Sequence, residues 1–274
     1  MKHFIVTLTT YSKRINNIPA VLDSIFMQTM SPDFVVLNLA HDENIPDNIQ
    51  NYIDEHPVEI NRVPDTKVYK KLIPTLHKYP NDCIITIDDD FIYPKGMIED
   101  FMIIHEKYPH NPISGNRIVF FGRQCHCGCA SLVKREFFGD YFDLIDDEVI
   151  KNCPSDDIVY TYFTNKAGFS YIRTKDEYFK NMKSYNEGKG YTESEDGFEG
   201  VAKSYRYLTE RFGFVEDPLN PYFSDPYLAV ILRDIHHKDI IRQREEAKRE
   251  VYSSITYRIG HALLKPFSFL KKHE

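Results

Sequence analysis

Three consecutive carboxylates, Asp88, Asp89 and Asp90, end an apolar β-branched run, Cys83-Ile84-Ile85-Thr86-Ile87. The run reads as a buried strand. Three adjacent acids are too costly to bury in an apolar core, so they must leave the strand at its C-terminal end and face water, a cation or a charged ligand. In open α/β sheets that end is where ligands bind. Alternate strand residues point the same way, so Asp88 and Asp90 are expected to face one ligand. Their hard oxygens suit Mg²⁺ or Mn²⁺, which commonly completes its shell with phosphate oxygens. A solvated acidic turn is the competing reading for an isolated Asp-x-Asp, and the preceding strand moves the balance toward metal.

Other reactive residue types are scattered along the chain. Asp156 and Asp157 follow Cys153-Pro154-Ser155 at an expected helix start, where the dipole favours acids. Cys125, His126, Cys127 and Cys129 are spaced too tightly for the usual zinc knuckle and read as thiols on a strand. His236 and His237 fit a pair of partly exposed helix residues, with a late metal ligand as the other reading.

The elements that must position these groups follow a βαβ rhythm. Strands are expected at 3–9, 34–40, 58–63 and 83–87, with helices led by Pro19, Pro46 and Pro94 and one containing Leu72, Ile73 and Leu76. A strand at about 117–121 follows, and the alternation then weakens. Residues 180–200, with four glycines among polar residues and tyrosines, read as a mobile loop able to close over a ligand.

The totals narrow the class. With 274 residues, 42% hydrophobic and 27% charged, the chain is globular, and its net charge of -7 gives nucleic acid no global attraction. Five cysteines without framework spacing fit reduced thiols, and no apolar run is long enough to span a bilayer. These features place the protein in the cytoplasm. At the C-terminus, Ile255, Ile259, Ala262 and Leu263 share a helical face beside Arg258 and Lys265, with Lys271 and Lys272 beyond. Such a helix suits peripheral attachment to the inner face of an anionic membrane, or packing on the protein's own core.

Five segments in order resemble bacterial GT-A-fold glycosyltransferases of family-2-like and exostosin-like, surface-polysaccharide type. They are Thr9-Thr10-Tyr11-Ser12-Lys13-Arg14-Ile15, Tyr69-Lys70-Lys71-Leu72-Ile73-Pro74, the Asp88-Asp89-Asp90 strand end, Cys153-Pro154-Ser155-Asp156-Asp157-Ile158, and Ser254-Ile255-Thr256-Tyr257-Arg258-Ile259-Gly260. Where such chains tend to carry Gly-Pro before the Lys-Leu segment, this one has Lys67 and Val68. Where they show Gly-Gly and an aromatic, it has Cys127-Gly128-Cys129-Ala130.

The resemblance implies a GT-A fold, an α/β Rossmann-like and mostly parallel mixed sheet flanked by helices. Its nucleotide-sugar half would be 1–115 and its acceptor half 116–232, with a helical basic extension at 233–274. It implies a nucleotide-sugar donor, UDP-linked, and a saccharide or lipid-linked saccharide acceptor. Thr9, Arg14, Lys71, Asp88 and Asp89 would then bind the donor. Asp88 and Asp90, with His236, would hold Mn²⁺ or Mg²⁺, and Asp157, or failing that Asp156, would deprotonate the acceptor. A haloacid-dehalogenase-like phosphatase and a non-catalytic carbohydrate-binding protein are the competing classes.

Overall fold

The computed structural model describes residues 3–115, 119–120, 123–174, 182–185 and 195–215. The chain divides into Met1–Ser224 and Asp225–Glu274, and every described residue belongs to the first. The expected amphipathic tail and His236 therefore lie outside the described residues.

The first half is built as the sequence suggests. Strand β1 (Phe4–Thr9) is followed by α1 (Ile18–Phe26), β2 (Phe34–Ala40), α2 (Asp47–Asp54) and β3 (Val58–Val63). A 3₁₀ turn (Lys67–Lys71) leads into α3 (Ile73–Lys78), and β4 (Cys83–Ile87) then delivers the acids. These four strands are mutually parallel, in the order β4-β1-β2-β3, with Val6 beside both Val35 and Ile85. Parallel strands need crossovers that cover the faces, which is why they read as continuous apolar runs.

The second half extends the same sheet through short pieces. A two-residue strand β5 (Phe91–Ile92) comes first, so the helix expected from Pro94 begins only at Met97, after Gly96 at φ 88°. That helix is α4 (Met97–Lys107), and β6 (Ile113–Ser114) follows. β7 (Val119–Phe120) and β8 (Arg123–Gln124) form a separate hairpin, and β9 (Ala130–Val133) runs antiparallel between β4 and β6. After a 3₁₀ stretch (Arg135–Leu144) come α5 (Asp147–Asn152), α6 (Asp156–Lys166) and β10 (Ile172–Arg173), which is parallel to β6 at the sheet edge. The main sheet thus has seven strands in the order β10-β6-β9-β4-β1-β2-β3, mostly parallel and flanked by helices, compatible with a Rossmann-like arrangement.

Two expectations are corrected here. Residues 125–127 have no regular structure and 128–129 form a turn, so the crowded cysteines sit on a loop rather than a strand. Gly128 and the need to reverse direction into β9 account for that. The stretch 180–200 is not one loop either. β11 (Lys183–Ser184) pairs antiparallel with β5, and α7 (Glu195–Phe212) begins inside the stretch.

Strand alternation feeds two cores. Val6, Leu8, Val35, Leu37, Ile85 and Ile87 pack under α1, α2 and α4, while Ile5, Val36, Ile84 and Val133 pack under Leu72, Leu76 and the aromatic face of α6 and α7. Each such side chain contributes about 1.5–3 kcal/mol by burial. The second face carries a polar seam. Asn38 Nδ2 donates to Thr7 Oγ1 (3.0 Å) and Thr75 Oγ1 (2.9 Å), and Asn61 Nδ2 donates to Asn38 Oδ1 (2.8 Å). The seam ends on the carbonyl of Lys71, which accepts from Thr7 Oγ1 at 2.6 Å. Buried groups satisfied in this way fix the backbone from which Lys71 projects. Among the described residues, no helix is long and apolar enough to cross a membrane.

Candidate active site

β4 ends at Ile87, and the chain turns at once. The backbone N–H of Asp88 donates to Tyr93 Oη (2.8 Å), and that phenol donates to the carbonyl of Cys129 (2.7 Å). Tyr93 N–H in turn donates to Ser24 Oγ of α1 (3.0 Å). The acidic turn is therefore pinned to α1 and to the Cys127–Cys129 loop together.

Because the strand has ended, its two-residue alternation no longer governs the acids. Asp89 and Asp90, rather than Asp88 and Asp90, share a partner. Arg14 Nη1 lies 3.0 Å from Asp89 Oδ1 and 3.1 Å from Asp90 Oδ2, and Thr10 Oγ1 donates to Asp89 Oδ2 at 2.6 Å. Arg14 is set by a tight turn after β1, in which its N–H and that of buried Ile15 both donate to Tyr11 O. Burial, then the charge of Asp88, raises the Asp90 carboxyl to about 6 even though Arg14 opposes the shift.

Asp88 points elsewhere, to the ammonium of Lys71, which also donates to the carbonyl of Gly128 at 3.1 Å. Burial by itself would lower the Lys71 pKa. The carboxylates of Asp88, Asp156 and Asp157 outweigh burial, raise it and keep the ammonium charged. Gly128 is required by close approach: a Cβ there would stand 2.7 Å from Lys71 Nζ and 3.2 Å from Asp157 Oδ1.

Asp156 and Asp157 open α6 after Ser155, as expected from the sequence. The carbonyl of Cys153 accepts from Tyr69 Oη (2.6 Å) and Ser155 N–H donates to Ser204 Oγ (3.2 Å), which fixes where the helix starts. Asp156 Oδ2 and Asp157 Oδ1 are buried with no hydrogen-bond donor. Burial raises both carboxyl pKa values; at Asp157 the charge of Asp156 adds to the shift, and at Asp156 Lys71 opposes it.

A cleft of about 370 Å³ opens at the C-terminal ends of β1 and β4. Thr9, Thr10 and Tyr11 form one wall, and Arg14, Lys67, Lys70 and Lys71 bring four cations against the acids Asp65, Asp88 and Asp89. Asp65 is itself paired with Lys70, which lowers its pKa. The lining carries one cation more than carboxylates, with Arg14, Lys70 and Lys71 each paired to an acid, a modest attraction for an anion.

The structure brings together Thr9, Arg14, Lys71, Asp88, Asp89 and Asp90, and sets Asp156 and Asp157 beside Lys71 and Gly128. Thr9 Oγ1 donates to the carbonyl of Asn38 (2.8 Å) while its residue lines the cleft. Sequence reasoning missed Thr10, Tyr93, Gly128 and the Asp65–Lys70 pair. A single glycine between Cys127 and Cys129 has no periodic signature.

For a divalent ion, the donor chemistry fits in part. Asp88 offers hard oxygens on a side chain 30% exposed, against 7% for Asp89 and Asp90. Among the described residues no group of three or more His, Cys, Asp and Glu is arranged to hold a metal, so any ion there would need oxygens from a ligand. No protein-family model matches the chain, and no curated protein matches it.

Proposed function

We propose that the protein is a glycosyltransferase of GT-A type that moves a sugar from a nucleotide-sugar donor, UDP-linked, to a saccharide or lipid-linked saccharide acceptor in surface-polysaccharide synthesis. The observation that carries this reading is the continuity of two sites. Lys71 joins the cationic cleft on one side, through Asp88, to the buried acid Asp157 on the other, past Gly128. The mostly parallel sheet with one antiparallel strand next to β4, and the cleft at the strand ends, agree with that fold.

The residues divide the reaction between them. Arg14, Lys67, Lys70 and Lys71 lie where a diphosphate would sit, and Tyr11 at the mouth offers an apolar face for the base. As the bond from the sugar's anomeric carbon to the diphosphate oxygen breaks, charge grows on that oxygen, and fixed cations stabilise it without reorganising. The acceptor hydroxyl forms the new bond to the anomeric carbon and gives its proton to the carboxylate form of Asp157, which lies beside Gly128 and Lys71. Asp89, braced by Thr10 and Arg14, would contact the donor's ribose or sugar. Mn²⁺ or Mg²⁺, held by Asp88 together with the donor's own phosphate oxygens, would add positive charge at the diphosphate.

A haloacid-dehalogenase-like phosphatase gains no support, since its nucleophilic acid normally follows the first strand and Asp88 follows the fourth in chain order. The test is a thermal-shift panel of UDP, GDP, CDP and their sugars with and without Mn²⁺. A ligand at about 100 times its Kd stabilises by about 2.7 kcal/mol. The expected result is a rise with one nucleotide class, larger with metal. A flat response to every nucleotide would overturn the reading and leave carbohydrate binding without catalysis as the better account.

A further inference from the structure

The loop that supplies Gly128 to the site carries a thiol on either side. Cys127 Sγ and Cys129 Sγ lie 2.9 Å apart, and both thiols are free. Ala130 N–H donates to Cys127 O (3.0 Å), closing a turn, while Ser131 Oγ accepts from Cys127 N–H (2.9 Å) and donates back to Cys127 O (3.0 Å). Cα atoms two residues apart are at most about 7 Å apart even in an extended chain, and a disulfide needs them about 4.4–6.8 Å apart.

We propose that Cys127 and Cys129 form a reversible disulfide, a modification site whose state sets the position of Gly128 against Lys71 and Asp157. Cys127 is fully buried and Cys129 partly exposed, so the outer sulfur meets the oxidant first. With glutathione disulfide as oxidant, Cys129 sulfur attacks one glutathione sulfur and the other glutathione leaves as thiolate. Cys127 sulfur then attacks Cys129 sulfur and expels the second glutathione. Two electrons pass from the protein dithiol to glutathione disulfide, and the two thiol protons end on two glutathione thiols.

The bond matters because the turn has little room to move. Gly128 O accepts from Lys71, its Cα faces Lys71 Nζ and Asp157 Oδ1 at close range, and the carbonyl of Cys129 accepts from Tyr93, which holds Asp88. Drawing the sulfurs together to about 2.05 Å strains these contacts. The effect on sugar transfer rests on the function proposed above, whereas bond formation and its coupling to Lys71 do not.

The experiment equilibrates the full chain in glutathione buffers of stepped oxidation, quenches with acid, alkylates remaining thiols with N-ethylmaleimide and maps peptides by mass. The expected result is a Cys127–Cys129 bridge with Cys83, Cys125 and Cys153 alkylated. By linkage, Lys71→Met, which frees Gly128 O, shifts the equilibrium toward the disulfide at least tenfold, about 30 mV for a two-electron couple. Gly128→Ala, whose added Cβ crowds Lys71, provides a second variant with a shift of at least that size. Lys78→Ala, at an exposed pair with Glu59, leaves the equilibrium unchanged. No bridge at any ratio, a bridge between other cysteines, or one equilibrium constant shared by wild type and both site variants would overturn the proposal. UDP affinity measured on both forms separates the two ideas: if UDP binds neither form while the coupled bridge forms, the transferase reading falls and the disulfide stands.

Discussion

The two acid clusters of this site are treated in opposite ways by the fold. In the first, Asp88, Asp89 and Asp90 each have a cation, Lys71 or Arg14, and Asp89 also has Thr10. In the second, Asp156 and Asp157 each bury an oxygen without a donor, and their nearest compensation is Lys71, already committed to Asp88 and Gly128. A neighbouring cation favours the charged form of a carboxylate, and burial without a donor favours the protonated form. The contrast assigns the first cluster to holding the anion's cations in place and the second to moving a proton.

The variant that should break this contrast most completely is Lys71→Met. It leaves Asp88, Asp156 and Asp157 without their shared cation, and removing one partner of a buried pair typically costs about 3–5 kcal/mol. Denaturant unfolding checks it, with Lys78→Ala, at an exposed pair, expected to cost at most about 1 kcal/mol.

Asp157→Asn should sharpen the contrast. Transfer falls about 10²–10⁴-fold, the usual share of a general base, while stability rises at neutral pH. The folded pKa of Asp157 lies above its unfolded value, so the folded state holds the proton longer. Below the unfolded pKa, about 3.9, both states are protonated and the wild type bears no penalty. Above that value the unfolded state ionises while the folded state keeps its proton, so wild-type stability is lost as pH rises up to the folded value and levels off beyond it. The excess Tm of Asp157→Asn should therefore be absent near pH 3.5 and grow upward, and a constant excess would contradict the shift.

The smallest effect belongs to a carboxylate outside both clusters. Asp146 caps α5 by accepting from Val149 N–H (2.9 Å) and pairs with Arg211 of α7. Its Asp146→Ala variant should lose about 1 kcal/mol of stability, the usual worth of a cap, with nucleotide binding unchanged.

The ease of reading the sequence divides along the same line. β1 to β4 were legible to within a residue because parallel strands buried on both faces leave unbroken apolar runs, and the three acids stood out where one run stopped. The partition of those acids was not legible, since it depends on a turn held by Tyr93 and on Arg14 arriving from β1. Likewise, β5, β8 and β11 span two residues each, too few to show a period, whereas β7 falls within the strand expected at about 117–121. Gly128 gave no signal because its role is tertiary contact with Lys71 and Asp157.

The most direct measurement is calorimetric titration of UDP, with Mn²⁺ present, into the wild type, Lys71→Met and Asp157→Asn at one neutral pH. The division of labour predicts binding of equal affinity to wild type and Asp157→Asn, and a loss of at least tenfold in Lys71→Met. Equal binding to all three, or loss in Asp157→Asn alone, would contradict it.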